Sequence, residues 1–199
     1  MTAPPLISTV VAPPRTPTTV ERLREWQPTD RAVAWGVTIA IALLAFGIRL
    51  VGVGYPPYVI FDESYYAKDA WSLLQYGYEG TWADGANDQI AAGDLSGLSA
   101  HPSFIVHPPL GKWLIAAGEA VFGMNSFGWR ISAVVFGSLL VGATVRLGRR
   151  LSRSTLIGAI AGLLLTFDGL AFTMSRMALL DLFQATFLVM AVGAVVADR

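Results

Sequence analysis

Two adjacent carboxylates, Asp62 and Glu63, follow a long apolar stretch and are the residues best placed to do chemistry. A carboxylate at the edge of a membrane can act as a general base by accepting the proton of a hydroxyl group. Further along the chain, the segment His107-Pro108-Pro109-Leu110-Gly111-Lys112 contains two side chains that can bind an anion. This arrangement predicts a membrane enzyme whose acidic site lies at the boundary with water.

Four apolar runs are long enough to position this site in a membrane. At a rise of about 1.5 Å per residue, each would form a helix that crosses most or all of a hydrocarbon core roughly 30 Å thick. The composition agrees, because 54% hydrophobic residues, 14% charged residues and a mean hydropathy of +0.54 are too apolar for an ordinary soluble domain. We therefore predict an all-α, multi-spanning integral membrane protein. Its spans would cover residues 32–54, 129–147, 156–174 and 177–197.

The positions of the arginines predict the orientation of these spans. Basic residues near span ends mark the cytoplasmic side of a membrane. The loop 55–127 should therefore face the outside of a plasma membrane, and residues 128–199 should carry the second to fourth spans. Residues 1–31, with many Pro and Thr, are predicted to be a disordered cytoplasmic tail. The two basic clusters are Arg15, Arg22, Arg24 and Arg31 before the first span, and Arg146, Arg149, Arg150 and Arg153 between the second and third.

The outer loop contains two stretches that are predicted to be amphipathic helices lying on the membrane surface. One covers residues 63–77 and begins at the carboxylate pair, and the other covers residues 110–122, after the two prolines. Between them, residues 78–104 have the Gly, Asp, Asn and Ser content of turns without any periodicity, which predicts an irregular, mobile segment. The formal net charge of zero gives no indication of nucleic-acid binding, and the absence of cysteine excludes a disulfide framework.

Several segments together resemble the protein O-mannosyltransferases, and most closely the actinobacterial ones. The likeness runs from about Arg49 to Arg199. It implies a membrane glycosyltransferase of the GT-C class that moves mannose, with inversion, from a polyprenyl-phosphate carrier to Ser or Thr of exported proteins. It also implies further spanning helices after Arg199, so the chain is expected to be the N-terminal catalytic portion of a longer enzyme. The matching segments are Phe61-Asp62-Glu63, His107 to Lys112, Trp129-Arg130, Ser175-Arg176 and Leu179-Leu180-Asp181.

The resemblance assigns roles to the two acids. Asp62 matches the first acid of the paired motif and is expected to be the general base, while Glu63 would hold the acceptor hydroxyl or peptide. The sequence does not settle how the two acids divide these roles. Aspartate is also a common N-terminal helix cap, so a purely structural role for Asp62 stays open at this point.

The departing phosphate is already a stable anion, so it needs cations more than an acid. Candidate ligands of the donor phosphate are Arg130, Arg176, Lys112 and His107, although both arginines could instead extend to lipid headgroups. We expect Asp62 and Arg130 to lie close together, because both are at the outer boundary. Two further charged residues have expected structural roles: Asp181 would pair with Arg176, and Arg49 would extend to the interface or approach the carboxylates.

No cofactor is predicted beyond the donor substrate itself. His101 and His107 lie six residues apart on a loop and have no regular metal-ligand geometry, so a divalent metal is not expected. The expected partners are the bilayer, polyprenyl-phosphate-linked mannose, exported polypeptides with Ser or Thr, and the secretion translocon. Two alternatives stay open: another GT-C transferase for a lipid-linked pentose or aminopentose, and a non-catalytic membrane fragment.

Overall fold

The computed structural model describes Thr16, Thr18 and residues 31–198. The predicted tail therefore lies almost wholly outside the described residues. Within these described residues, three helices, Arg31–Leu50, Ser126–Ser152 and Leu180–Asp198, are long and apolar enough to cross a membrane. This confirms the prediction of a multi-spanning helical membrane protein. In chain order the elements are α1 (Arg31–Leu50), α2 (Glu63–Tyr76), β1 (Gly80–Trp82), α3 (Ala86–Ala91), β2 (Leu98–Pro102), α4 (Leu110–Phe122), α5 (Ser126–Ser152), α6 (Thr155–Phe167), α7 (Gly169–Met174) and α8 (Leu180–Asp198).

Helix α5 is the centre of the fold and packs against α1, α4, α6 and α8. Its start is fixed by Asn125, whose side chain accepts hydrogen bonds from the backbone N–H groups of Phe127 and Gly128, a typical N-terminal cap. Close packing against α6 depends on Gly158, where a Cβ atom would lie 2.5 Å from the carbonyl oxygen of Val145. Arg130 lies in the first turns of α5, at the end of this helix that follows the outer loop.

The predicted span 156–174 is not one continuous helix. Helix α6 has 13 residues and ends at Phe167, a length of about 20 Å, which is too short for a hydrocarbon core of roughly 30 Å. Asp168 is extended, and its carboxylate accepts a hydrogen bond from the backbone N–H of Ala171 at 2.7 Å, so it begins the short helix α7. The prediction that residues 156–174 form one continuous third span is wrong, because Asp168 caps a new helix instead of continuing the old one.

Arg49 donates hydrogen bonds to backbone carbonyl groups that have no partner within the helix because α6 ends here. Its guanidinium is fully buried and donates hydrogen bonds to the carbonyl oxygens of Leu165 and Thr166 at 3.4 and 3.3 Å. It also lies over the ring of Phe172, 5.6 Å from the centroid. The last carbonyls of a helix have no partner within the helix, and cations favour this end. Arg49 therefore has a structural contact, with carbonyl oxygens rather than carboxylates as its partners.

The outer loop is more regular than its composition indicates. Both of its predicted helices are present as α2 and α4. The intervening stretch, predicted to be irregular, instead contains the antiparallel pair β1–β2, with Gly80 opposite Pro102 and Trp82 opposite Leu98, and the short helix α3. The indole N–H of Trp82 donates to the carbonyl oxygen of Lys68 and to the hydroxyl of Ser72. These bonds attach the hairpin to α2, beside the carboxylate pair.

Glu119 is buried where α4 crosses α5. A side chain at Gly118 would collide with the carbonyl of Gly128, so the two helices approach closely there. The neighbouring Glu119 is 1% exposed, and neither of its carboxylate oxygens has a hydrogen-bond partner within the described residues. Burial raises the pKa of Glu119 well above its usual value. The folded protein therefore holds this proton more tightly than the unfolded chain does.

Replacing Glu119 with glutamine is expected to stabilise the protein increasingly as pH rises. Because folding raises the pKa of Glu119, the contribution of this carboxyl to the free energy of unfolding is fully present below its unfolded pKa. That contribution is lost as pH rises through the folded pKa. We expect a gain in melting temperature of about 2–4 °C at pH 8, equivalent to about 1 kcal/mol, and a smaller gain at pH 5. Thermal unfolding in detergent measures both, with exposed Asp88→Asn as the control. An equal change at both pH values would contradict a buried, unpaired carboxyl.

Candidate active site

Asp62 lies at the N-terminal end of α2 and lines a cavity of about 460 Å³ between this helix and the hairpin. The carbonyl oxygen of Asp62 accepts hydrogen bonds from the backbone N–H groups of Tyr65 and Tyr66. Its side chain makes no capping hydrogen bond. The residue therefore begins the helix through its backbone, and its partly exposed carboxylate is available to accept a proton in the cavity.

Glu63, by contrast, is completely buried and fully hydrogen-bonded. One carboxylate oxygen, Oε2, accepts from Nη2 of Arg130 at 2.7 Å and from the backbone N–H of Ile60 at 3.1 Å. The other, Oε1, accepts from Nε of Arg130 at 2.8 Å and from the backbone N–H of Ala178 at 2.9 Å. These bonds join the start of α2, the start of α5 and the segment before α8. The structure therefore gives Glu63 a positioning role, and its predicted contact with the acceptor is not supported.

Arg130 uses all of its N–H donors within the protein. Besides the two bonds to Glu63, its Nη1 donates to the carbonyl oxygens of Val53 and Pro56, and its Nη2 donates to that of Tyr58. Arg130 is 1% exposed. The guanidinium group has five N–H donors, so none remains for a phosphate. The predicted phosphate role of Arg130 is therefore not supported, and its carboxylate partner is Glu63 rather than Asp62.

Lys112 is also occupied by internal contacts. Its buried ammonium group lies 2.9 Å from a carboxylate oxygen of Asp69 and 2.8 Å from one of Glu79, and it donates to the carbonyl oxygen of Val106 at 2.6 Å. The three N–H donors of the group are thereby satisfied. Lys112 fixes the segment before α4 to α2 and the hairpin, and a phosphate role for it is not supported.

Lys68 is a cation that the sequence analysis missed. It lines the same cavity as Asp62, is partly buried, and makes no ion pair within the described part of the chain. Burial lowers the pKa of Lys68, against a smaller opposing effect of Asp69. The signal for Lys68 was its place on the predicted helix 63–77, six residues after Asp62. Its side chain is available for an anionic or hydroxyl-rich ligand.

His107 and Tyr66 form another part of the cavity wall. The ring of His107 meets that of Tyr66 edge to face, with centroids 5.8 Å apart. The pKa of Tyr66 is raised by burial first, and then by the charges of Asp62, Asp181 and Asp69. Asp181 is therefore close enough to act on the cavity through its charge. It forms no ion pair with Arg176 within residues 31–198, so the expected pairing is absent.

Arg176 lies in a second cavity, of about 240 Å³, which Ile60 and Arg130 also line. Its guanidinium lies over the ring of Phe172, 5.1 Å from the centroid. It is partly exposed and has no carboxylate partner within the described chain. Of the four predicted phosphate ligands, Arg176 and His107 are thus the two whose side chains line a cavity and form no ion pair within the described residues. Arg130 lines the second cavity, and its partner Glu63 directly follows Asp62, which lines the first.

The family model described as dolichyl-phosphate-mannose-protein mannosyltransferase matches residues 39–197. The chain belongs to this family. Two similar members are polyprenol-phosphate-mannose–protein mannosyltransferases: that of Mycobacterium tuberculosis is 41% identical over 95% of this chain, and that of Mycolicibacterium smegmatis is 43% identical over 88%. The chain spans about a third of the length of these curated relatives, namely 34% and 31%. No solved structure matches it.

A more distant relative bears on the alternative transferase activity. The undecaprenyl phosphate-alpha-4-amino-4-deoxy-L-arabinose arabinosyl transferase of Pseudomonas aeruginosa is 35% identical over 72% of this chain and is covered over 24% of its own length. Its similarity covers less of the chain than that of the mannosyltransferases. The resemblance to the mannosyltransferase family is thus confirmed, and the aminopentose alternative is the weaker one.

Proposed function

We propose that the chain carries the catalytic acid of an enzyme that transfers mannose from polyprenol-phosphate-mannose to Ser or Thr hydroxyls of exported polypeptides. The observation that supports this most directly is the carboxylate of Asp62, which lines a cavity and has no ion pair within the described residues, in a chain of the mannosyltransferase family. Because the chain covers about a third of the length of its relatives, the activity of those whole proteins is a proposal for this one.

The proposed reaction is a single displacement. The acceptor oxygen attacks the anomeric carbon of mannose while Asp62 takes the hydroxyl proton, and the bond between that carbon and the phosphate oxygen breaks. One displacement inverts the configuration at the anomeric carbon. The phosphate leaves with the bonding electrons, and Arg176, His107 and Lys68 are the cationic or hydrogen-bonding groups proposed to stabilise it. Because these groups can stabilise the charge, no divalent metal is proposed, and chelation with EDTA should leave the rate unchanged.

The proposed location is the plasma membrane, with the site on its outer side. The basic residues Arg146, Arg149 and Arg150 lie at the C-terminal end of α5, far along that helix from Arg130. By the positive-inside rule this end is cytoplasmic, so the site at the other end faces outward. Polypeptides that leave the secretion translocon would reach the site in an unfolded form, with their hydroxyl groups accessible.

The test is mannose transfer from polyprenol-phosphate-mannose to a Ser/Thr-rich peptide in isolated membranes. Two proteins are compared: this chain, and a chimera in which the rest of the M. smegmatis relative follows it. Transfer by the chimera supports the proposal, and loss of transfer with Asp62→Asn at equal expression assigns the base. The same chimera with a lipid-linked aminopentose donor tests the alternative. Transfer of aminopentose but not mannose would overturn the proposed substrate.

Arg176 is expected to affect donor binding more than the later steps. We predict that Arg176→Gln raises the KM for the lipid donor about 10- to 100-fold, because a hydrogen bond to a charged group contributes about 1.5–3 kcal/mol. Arg176→Lys should recover part of this loss. Initial rates of the chimera over a range of donor concentrations measure the change, with Arg153→Gln as the control for lost charge. An unchanged KM would remove Arg176 from the donor site.

A further inference from the structure

A groove larger than either cavity of the candidate active site lies away from that site. It has a volume of about 750 Å³ and lies between α1, α5 and α8. On α5 it is lined from Ser138 to Arg150, and Trp35 and Asp198 are also on its wall. Arg130 is near the beginning of α5, whereas this groove follows the C-terminal half of the helix. The groove is thus at the opposite membrane side from the candidate site.

The rim of the groove is basic. Arg146 lies over the ring of Trp35 at 4.0 Å, and its Nη1 is buried without a hydrogen-bond partner within the described residues. Arg150 donates one hydrogen bond, to the carbonyl oxygen of Gly193 at 2.7 Å, and is otherwise exposed. Arg31 and Arg149 are close enough to Arg146 for the like charges to repel each other. Asp198 is the acid on the groove wall. The rim therefore has an excess of positive charge and an unused donor.

The depth of the groove matches one leaflet of a bilayer. Twelve residues separate Ser138 from Arg150, which corresponds to about 18 Å along α5. Half of a hydrocarbon core roughly 30 Å thick is about 15 Å. Below the arginines the wall is mainly apolar, with Leu139, Val189 and Met190 among its residues. A charged rim above an apolar wall of this depth fits a headgroup and an acyl chain.

We propose that this groove binds an anionic phospholipid of the leaflet opposite the active site. The phosphate would accept hydrogen bonds from Arg146 and Arg150, and one acyl chain would lie along α5 and α8. Basic pockets between spanning helices on the cytoplasmic side commonly hold such headgroups. A further spanning helix fits the groove less well, because it would extend over the whole core and would seal the unpaired Arg146 donor in a dry interface.

The test is native mass spectrometry of the purified chain in detergent, titrated with dioleoylphosphatidylglycerol or dioleoylphosphatidylcholine. We expect one molecule of the anionic lipid to be retained, with a preference of about tenfold over the zwitterionic lipid. Arg146→Gln and Arg150→Gln should each remove most of this preference. Arg153→Gln has the same change in charge but lies outside the groove, and should keep it.

A second variant tests the acyl-chain part of the groove without a change in charge. Ala194 lines the groove and is exposed, so Ala194→Phe should fill it and lower retention of the lipid several-fold while the protein stays folded. The proposal is overturned if the wild type shows no preference, if Arg153→Gln loses it equally, or if Ala194→Phe has no effect. It is also overturned if the chimera excludes the lipid because a later helix fills the groove.

Discussion

Replacing Asp62 with asparagine is expected to lower mannose transfer by about 10²- to 10⁴-fold, the usual contribution of a general base. The amide keeps the size of the side chain but cannot take the acceptor proton. The carboxylate makes no capping hydrogen bond, so the start of α2 should be unaffected. The measurement is the single-turnover transfer rate of the chimera at saturating donor and acceptor.

Two controls separate the loss of a base from the loss of structure. Asp84→Asn removes a carboxylate from an exposed position in the hairpin region and should leave the rate unchanged. The Asp62→Asn protein should keep the melting temperature of the wild type and should still bind the lipid donor. Rate loss with a matching loss of stability, or near-normal transfer, would show that Asp62 is not the base.

The surface helices of the outer loop could be predicted because their signals are local. Pro109 fits the first turn of a helix, and α4 begins directly after it, at Leu110. Helix α2 ends where Gly77 adopts a left-handed conformation, with φ of 77°, and donates its N–H to the carbonyl oxygen of Leu73. The hairpin was missed since β1 has three residues, and its pairing with β2 depends on contacts with α2 rather than on an alternating pattern.

The types of the charged residues were predictable, but their partners were not. The sequence indicates that Arg130 and Lys112 lie near the membrane boundary, yet it does not show which acids are close to them. In the structure Glu63 neutralises Arg130, and Asp69 and Glu79 surround Lys112. These pairs join residues 33 to 67 positions apart, which no local pattern specifies. Burial therefore separates the cations that form internal ion pairs, Arg130 and Lys112, from those that line a cavity without an ion pair.

The break after α6 shows the same limit in an apolar segment. Hydropathy alone cannot distinguish a continuous span from two shorter helices. Asp168 is the feature of the sequence that indicates a break, because a single carboxylate in an apolar run is costly unless it has a partner. The partner is the backbone N–H of Ala171, at the start of α7. The break gives the segment leading to Arg176 a different course from that of a straight span.

Disrupting the Glu63–Arg130 pair is expected to cause the largest loss of stability. Removing one member of a buried ion pair costs about 3–5 kcal/mol, because the other charge stays buried without its partner. Glu63→Gln should therefore lower the melting temperature by roughly 10 °C and reduce transfer with it. Arg130→Lys should not preserve function, since an ammonium group cannot make the five hydrogen bonds of the guanidinium. Thermal unfolding in detergent and transfer by the chimera measure the two effects.

Glu119 provides a matched control for this prediction. Both glutamates are buried, at 0% and 1% exposure, but Glu63 accepts four hydrogen bonds while Glu119 has no partner within the described residues. The same change to glutamine should consequently destabilise the protein at position 63 and stabilise it at position 119. If both variants shift the melting temperature in the same direction, burial alone determines the effect. The pair would then not be what holds the start of α2, beside Asp62, against α5 and the segment before α8.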